Sequence, residues 1–152
     1  MKLFKYGKDG GPDSVVSGYW LIEIKSLFSI ALLCFENGSR DAFHNHAFNS
    51  ISWVLSGKLE EIHLHTKILK WAGMGSSNIS LHHVDIHKPS FWPVITKRDT
   101  FHRVSSVGRT WVLTFRGPWK KQWNEFNPAT DVYTTLENGR KIVDEFKQEV
   151  EL

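Results

Sequence analysis

A single cysteine among 152 residues leaves no partner for an intrachain disulfide. That excludes a disulfide-stapled secreted domain and makes a reducing, cytoplasmic setting the expectation. Cys34 stands among Ala31, Leu32, Leu33 and Phe35, the surroundings of a thiol packed in a core strand. Long hydrophobic runs are missing as well. The longest, Leu27 to Phe35, holds Ser29 within it and is far too short to cross a bilayer, so no membrane partner is expected. The opening Met1-Lys2-Leu3-Phe4-Lys5 lacks an apolar stretch followed by a small-residue cleavage site, and no secretory signal is expected. Charge of one sign is scarce too. Nineteen Lys and Arg face 16 acids for a net charge of +3, which is too balanced for the dense basic face of a dedicated nucleic-acid binder. No internal repeat, low-complexity tract or linker divides the chain, so one domain over 1–152 is expected.

Aromatic residues are abundant. They make up 13% of the chain, with seven Trp and ten Phe inside a hydrophobic fraction of 41%, enough to fill a core with large rings. After a turn-rich stretch at 7–14, short β-type segments follow one another at the spacing of a sandwich or barrel. Strands are expected near 15–24, 27–35, 42–48, 50–56, 58–65, 79–86, 91–96, 101–106 and 110–116, giving a core over about 15–117. The breaks carry Gly, Asn or Asp, as at Glu36-Asn37-Gly38-Ser39 and Ser56-Gly57-Lys58. Gly73 to Asn78 is the loosest of them and reads as a surface loop. The C-terminal part, 118–152, opens with an aromatic segment of no clear period. It is expected to close with a helix over 140–150, capped by Asn138, with Ile142, Val143, Phe146 and Val150 on one face.

The pattern that carries chemistry is His44-Asn45-His46. Two histidines at i and i+2 of a strand project from one face and can share an ion. A third from a distant strand, His102, would complete a three-nitrogen set with coordination positions left open. Gly38 precedes His44 by five intervening residues, and Gly57 follows His46 eleven positions on. This spacing resembles the first motif of the cupin superfamily, two glycines around a His-x-His, over about residues 20–116. The motif's glutamate position falls on Ser50. The second motif is matched loosely, by Pro93 and by His102 opening a strand where the family's last histidine ligand would sit. The segment Trp111 to Pro118 is similar to small single-domain cupins of bacteriophage genomes.

The resemblance implies an antiparallel jelly-roll barrel holding one divalent metal on His44, His46 and His102, with Ser50 bonding a metal-bound water. It also implies pairing of two copies through sheet edges, a homodimer. Three imidazoles without an acid leave the ion at full charge, as in the thiol dioxygenases of that superfamily. The favoured expectation is therefore a small-molecule, iron-dependent oxygenase acting on a small anionic substrate. Zn²⁺, Ni²⁺, Mn²⁺ or Cu²⁺ would suit nitrogen ligands too, and a non-redox isomerase or hydrolase, or a non-catalytic ligand-binding or assembly module, are the alternatives.

Other residues bear on that site. Arg40, Arg98, Arg103, Arg109 and Arg116 are the candidates for clamping an anion, with Arg116 on the final strand facing inward. Arg103 should face away if His102 faces the cavity. Trp53, Trp92 and Trp111 read as core or cavity wall, with Trp53 in contact with substrate. Glu61, His63 and His65 alternate on one strand, and His83, Asp85 and His87 on another. Either set could line the cavity or form a second metal site, but the favoured reading is the polar outer face of a sheet whose inner side carries Ile62 and Leu64, or His82, Val84 and Ile86. Trp119-Lys120-Lys121-Gln122-Trp123 interleaves cations with rings as base-stacking segments do, although a packing flap is the favoured reading.

Overall fold

Alternation of period two governs this chain. In the computed structural model the described residues (1–12, 14–39, 42–64, 81–137 and 140–147) are strands, turns and bends, with no helix among them. One sheet runs, in spatial order, β1 (Lys2–Lys8), β2 (Val16–Ile24), β3 (Phe28–Phe35), β11 (Thr110–Arg116), β6 (Ser50–Ser56) and β9 (Val94–Thr96). The other runs β14 (Lys141–Lys147), β13 (Val132–Glu137), β12 (Gln122–Asn127), β5 (Phe43–His44), β10 (His102–Ser106), β7 (Leu59–Leu64) and β8 (Leu81–His87). The short β4 (Gly38–Ser39) also pairs with β10. Every pairing is antiparallel.

Inward residues of the first sheet, Ala31, Leu33, Val54 and Val112, cluster with Leu59 and Val104 of the second. Burial of each such Leu or Val contributes about 1.5–3 kcal/mol. Phe43, Leu64, Phe101 and Phe126 form a separate cluster joined by Ile62 and Tyr133. Since Phe43 adjoins His44 and Leu64 adjoins His63, that cluster lies on the opposite face of the second sheet from those histidines. Gly57 makes the turn into β7 with φ of +84°, where a Cβ would stand 2.7 Å from the Arg109 carbonyl oxygen. Only glycine fits there. The close approach lets the Lys58 N–H donate to Thr110 Oγ1 at 2.9 Å, tying the β6–β7 hairpin to the start of β11.

The helix expected over 140–150 is not formed. Residues 141–147 are instead β14, antiparallel to β13, with Phe146 stacked on Tyr133 at 4.9 Å. Apolar residues at 142, 146 and 150 satisfy a period of two as well as one of 3.6, and a partner strand decides between them. Asn138 and residues 148–150 lie outside the described residues. The aromatic segment is likewise part of the sheet, as β12. The strand expected over 42–48 shrinks to Phe43–His44, because beyond it Asn45 and His46 find backbone partners outside the strand ladder. The expected loop at 73–78 falls outside the described residues.

Candidate metal centre

One rung of the second sheet assembles the centre. His44 on β5 pairs with Glu125 of β12 on one side and with His102 of β10 on the other, and His102 pairs in turn with His63 of β7. Directly opposed residues of antiparallel strands share a face. His46 reaches the same place from just beyond β5. Its N–H donates to the Arg98 carbonyl at 3.1 Å, while the Asn45 Oδ1 accepts from the Asn124 N–H at 2.7 Å. The short segment is thus pinned from both sides.

The three rings form a nearly equilateral triangle. Their centroids stand 5.0 Å apart for His44 and His46, 5.1 Å for His44 and His102, and 4.9 Å for His46 and His102. One ring nitrogen from each lies within 4.8 Å of the other two, and His46 Nε2 is 2.7 Å from His102 Nε2. Nitrogens sharing one ion at about 2.1 Å stand about 3 Å apart. The arrangement therefore fits a divalent transition ion held by three imidazoles.

Behind His102 sits an acid that fixes it. His102 Nδ1 bonds Glu61 Oε1, and His87 Nε2 bonds Glu61 Oε2 at 2.7 Å. Glu61 is only 4% exposed. Burial alone would raise its pKa, but the hydrogen bonds from His102 and His87, with the nearby charge of His102 and His63, outweigh that and hold the carboxyl well below the usual range. An ionised carboxylate can only accept, so the proton of His102 is kept on Nδ1 and the Nε2 lone pair faces the other rings. A carboxylate bonded to the far nitrogen of a ligating histidine orients the ring and raises its basicity. His87 is raised above its ordinary value, chiefly by the same hydrogen bond to Glu61, against the opposing effect of burial.

The centre opens on a cavity of about 620 Å³ between the sheets, within the range of small-molecule sites. Ser50 lines it from β6, paired with Arg116 of β11 and Thr96 of β9. Arg116 also faces in, 5% exposed, but its guanidinium already makes a two-pronged pair with Asp9, at 3.2 and 2.5 Å. It lies over the Phe48 ring, which stacks on His46 at 5.2 Å. The next ring outward is Trp119, 4.8 Å from Phe48, with Lys25 Nζ above it.

Not every expected residue comes to this place. Trp53 adjoins the cavity-lining Ser52 and Val54 on the other face of β6, its ring against Phe115 and its Nε1–H donating to the Phe91 carbonyl. Trp111 packs on Tyr19, and Trp92 is 84% exposed, so neither walls the cavity. Trp20, Trp119 and Trp123 do. The phase of each strand, rather than ring content, decides which tryptophans face in. Arg103 faces away as expected, over the Phe43 ring, and Arg109 pairs with Glu36. Arg40 and His65 lie outside the described residues. Cys34 is buried, its thiol pKa raised by burial and by Glu36.

The polar outer face expected on β7 and β8 is inverted. Glu61 and His87 line the cavity, while Val84 and Ile86 are each 55% exposed. Such a wall reverses the usual rule because its polar groups satisfy one another. The sequence pointed to Glu61 only as a neighbour of His63. Its role emerges from the β7–β10 register, which sets it diagonally across from His102.

No family model matches the sequence, and a search of curated proteins returns no match. Among solved structures, the chain is similar to a cupin-superfamily sugar phosphate isomerase from Silicibacter pomeroyi, with 11% identity over 88% of this chain and 77% of that one and a TM-score of 0.52. A protein from Salmonella typhimurium named for ethanolamine utilization (protein Q) matches at 15% identity over 76% and 80%, with a TM-score of 0.52. The iron(II) form of HppE matches at 13% identity over 74% of this chain, with a TM-score of 0.51, and the chain spans only 55% of its length. No helix among the described residues is long and apolar enough to cross a membrane. At such identities the likeness is one of architecture, and the architecture of this chain is the cupin fold.

Proposed function

We propose that this chain is a metal-dependent enzyme acting on a small anionic molecule, and that an iron-dependent oxygenase is the activity its site fits best. The observation that carries the reading is the triangle of His44, His46 and His102 at a cavity wall, with Glu61 locking His102. A divalent ion on three neutral imidazoles keeps its full charge and open positions, which supplies Lewis acidity and, with iron, redox chemistry. The iron(II) form of HppE among the structural neighbours supports the metal, and the sugar phosphate isomerase supports an anionic substrate.

The protein's own residues do the rest. Phe48, Trp119, Trp20 and Trp123 surround the cavity with apolar rings that exclude water and strengthen every polar contact inside. Three buried donors on cavity-lining residues, Arg116 Nε and the indole nitrogens of Trp20 and Trp119, have no hydrogen-bond partner among the described residues. The wall is short of acceptors, and an anion supplies them. Ser50 offers a hydroxyl from the opposite sheet to a group bound between the two walls.

The test is metal analysis of the purified protein joined to oxygen-uptake screening over small carboxylates, thiols and phosphate esters. Bound iron with substrate-dependent oxygen consumption is the expected outcome, and His46→Ala should lose the iron while keeping its fold. Bound Zn²⁺, Ni²⁺ or Mn²⁺ without oxygen dependence turns the reading to a non-redox isomerase or hydrolase. A chain that takes up no metal is a ligand-binding or assembly module.

A further inference from the structure

A second cluster of ligating side chains stands beyond the first, on the strands β7 and β8 that end the same sheet among the described residues. β8 is the last strand there among the described residues, and Ile62 of β7 pairs with its Val84. His63 and His83 are the next residues along, and their rings stack 4.9 Å apart. One step the other way, Glu61 pairs with Asp85. Asp85 and His83 alternate on one face of β8, as Glu61 and His63 do on β7. The result is a patch two residues deep on each of two neighbouring strands.

The side chains converge within this patch. His63 Nε2 lies 3.2 Å from Asp85 Oδ2, and His83 Nε2 lies 3.0 Å from the same oxygen. The three ligand atoms all fall within 4.8 Å of one another. The β7–β8 register shifts between Ile62 and Leu64, right at His63. Irregularities of this kind re-aim side chains and gather beside functional sites. His63 is 22% exposed, and Asp85 and His83 are open to solvent, so an ion could enter from outside without passing the cavity.

We propose that His63, His83 and Asp85 form a second divalent-cation site, separate from the three-histidine centre. Two imidazole nitrogens and one carboxylate oxygen on one face suit borderline transition ions such as Zn²⁺, Co²⁺ or Ni²⁺, and suit Ca²⁺ or Mg²⁺ poorly, since those demand oxygen ligands. Glu61 stands between the two centres. Its Oε1 bonds His102 and lies 3.6 Å from His63 Nε2, so one buried acid touches a ligand of each.

The proposal stands apart from the function proposed for the cavity, and Zn²⁺ itself is the probe. Metal-stripped protein is titrated with Zn²⁺ by calorimetry, and retained zinc is counted after gel filtration. Wild type should bind two equivalents, and His83→Ala and Asp85→Asn one each. His46→Ala should also bind one, and His46→Ala combined with His83→Ala none. His83 is 59% exposed and Asp85→Asn is isosteric, so both variants should keep wild-type circular dichroism. If both bind as many equivalents as wild type, the outer site is overturned. Zinc lost in His46→Ala but untouched in His83→Ala and Asp85→Asn overturns this site and leaves the central one. The reverse pattern supports this site and removes the central one.

Discussion

Glu61 gives the sharpest prediction. Its two oxygens accept from two imidazoles, His102 on the metal side and His87 on the other. Glu61→Gln keeps the shape but leaves one acceptor oxygen and brings an NH₂ group. The glutamine oxygen should turn to His102, whose proton must stay on Nδ1 while Nε2 faces the ion. His87, tied to no ion, can change tautomer and accept from the new amide. What His102 loses is then the charge on its acceptor. The step from a charge-assisted to a neutral hydrogen bond is worth about 1–1.5 kcal/mol, about tenfold in metal affinity. Glu61→Ala removes the acceptor altogether and should approach the 100-fold loss at the upper end of such outer-shell effects. The assay is Zn²⁺ competition against a chromophoric chelator in a His83→Ala background, so that only the central site reports. Circular dichroism confirms the fold of each variant. The expected order is wild type, then Gln about tenfold weaker, then Ala about 100-fold weaker, with His87→Gln within twofold of wild type. If Glu61→Ala binds zinc within twofold of wild type, Glu61 does not orient His102.

Two further outcomes follow from charge pairs. In metal-free protein, Glu61 is held below its ordinary 4.5 and contributes stability that is present above that value and lost as pH falls below it. His87 is held above its ordinary 6.5, so its contribution is complete below 6.5 and disappears as pH rises through the raised value. Thermal melts should therefore show this pair contributing most between pH 4.5 and 6.5. His87→Gln should flatten the decline above pH 6.5, and an unchanged slope there would refute the assignment. Asp9→Asn leaves the buried Arg116 guanidinium short of an anion. Full burial would make that cost 3–5 kcal/mol, reduced to about 2–3 kcal/mol by the 24% exposure of Asp9. Added phosphate should recover more thermal stability in Asp9→Asn than in wild type, and an equal response in both would count against Arg116 as an anion-binding group.

How far the sequence spoke for itself depended on whether a feature is local. Most strands from Val16 to Arg116 were legible because they alternate or run apolar between turns, several of them marked by Gly, Asn or Asp, and a turn residue reports its own backbone. Lys2–Lys8 and Lys141–Lys147 were not. Both are edge strands whose partners, β2 and β13, supply the reason for an extended chain, and an isolated amphipathic segment of that length reads equally well as loop or helix. β12 was hidden by the irregular mix of rings and charges in Trp119 to Asn127. There the inner residues meet the cavity and Arg140, whose guanidinium pairs with Glu125, so neither face is simply apolar.

The same division runs through the site. His44 and His46 are two residues apart, so their convergence follows from one strand's pleat, and His102 joins them because one rung places it opposite His44. Glu61 bonds His102 across 41 positions of sequence. Nothing local to Glu61-Ile62-His63 distinguishes that acid from a solvated one, since an alternating polar strand looks identical whether its polar side meets water or an ion. What decides is the neighbour. Val84 and Ile86 are apolar yet exposed, while Glu61 and His87 are polar yet line the cavity. On an ordinary two-layer sandwich this inversion would cost several kcal/mol in unpaired polar groups. It persists here because histidine and carboxylate satisfy each other along β7, β8 and β10, which is the condition an ion-binding wall needs and an apolar core cannot provide.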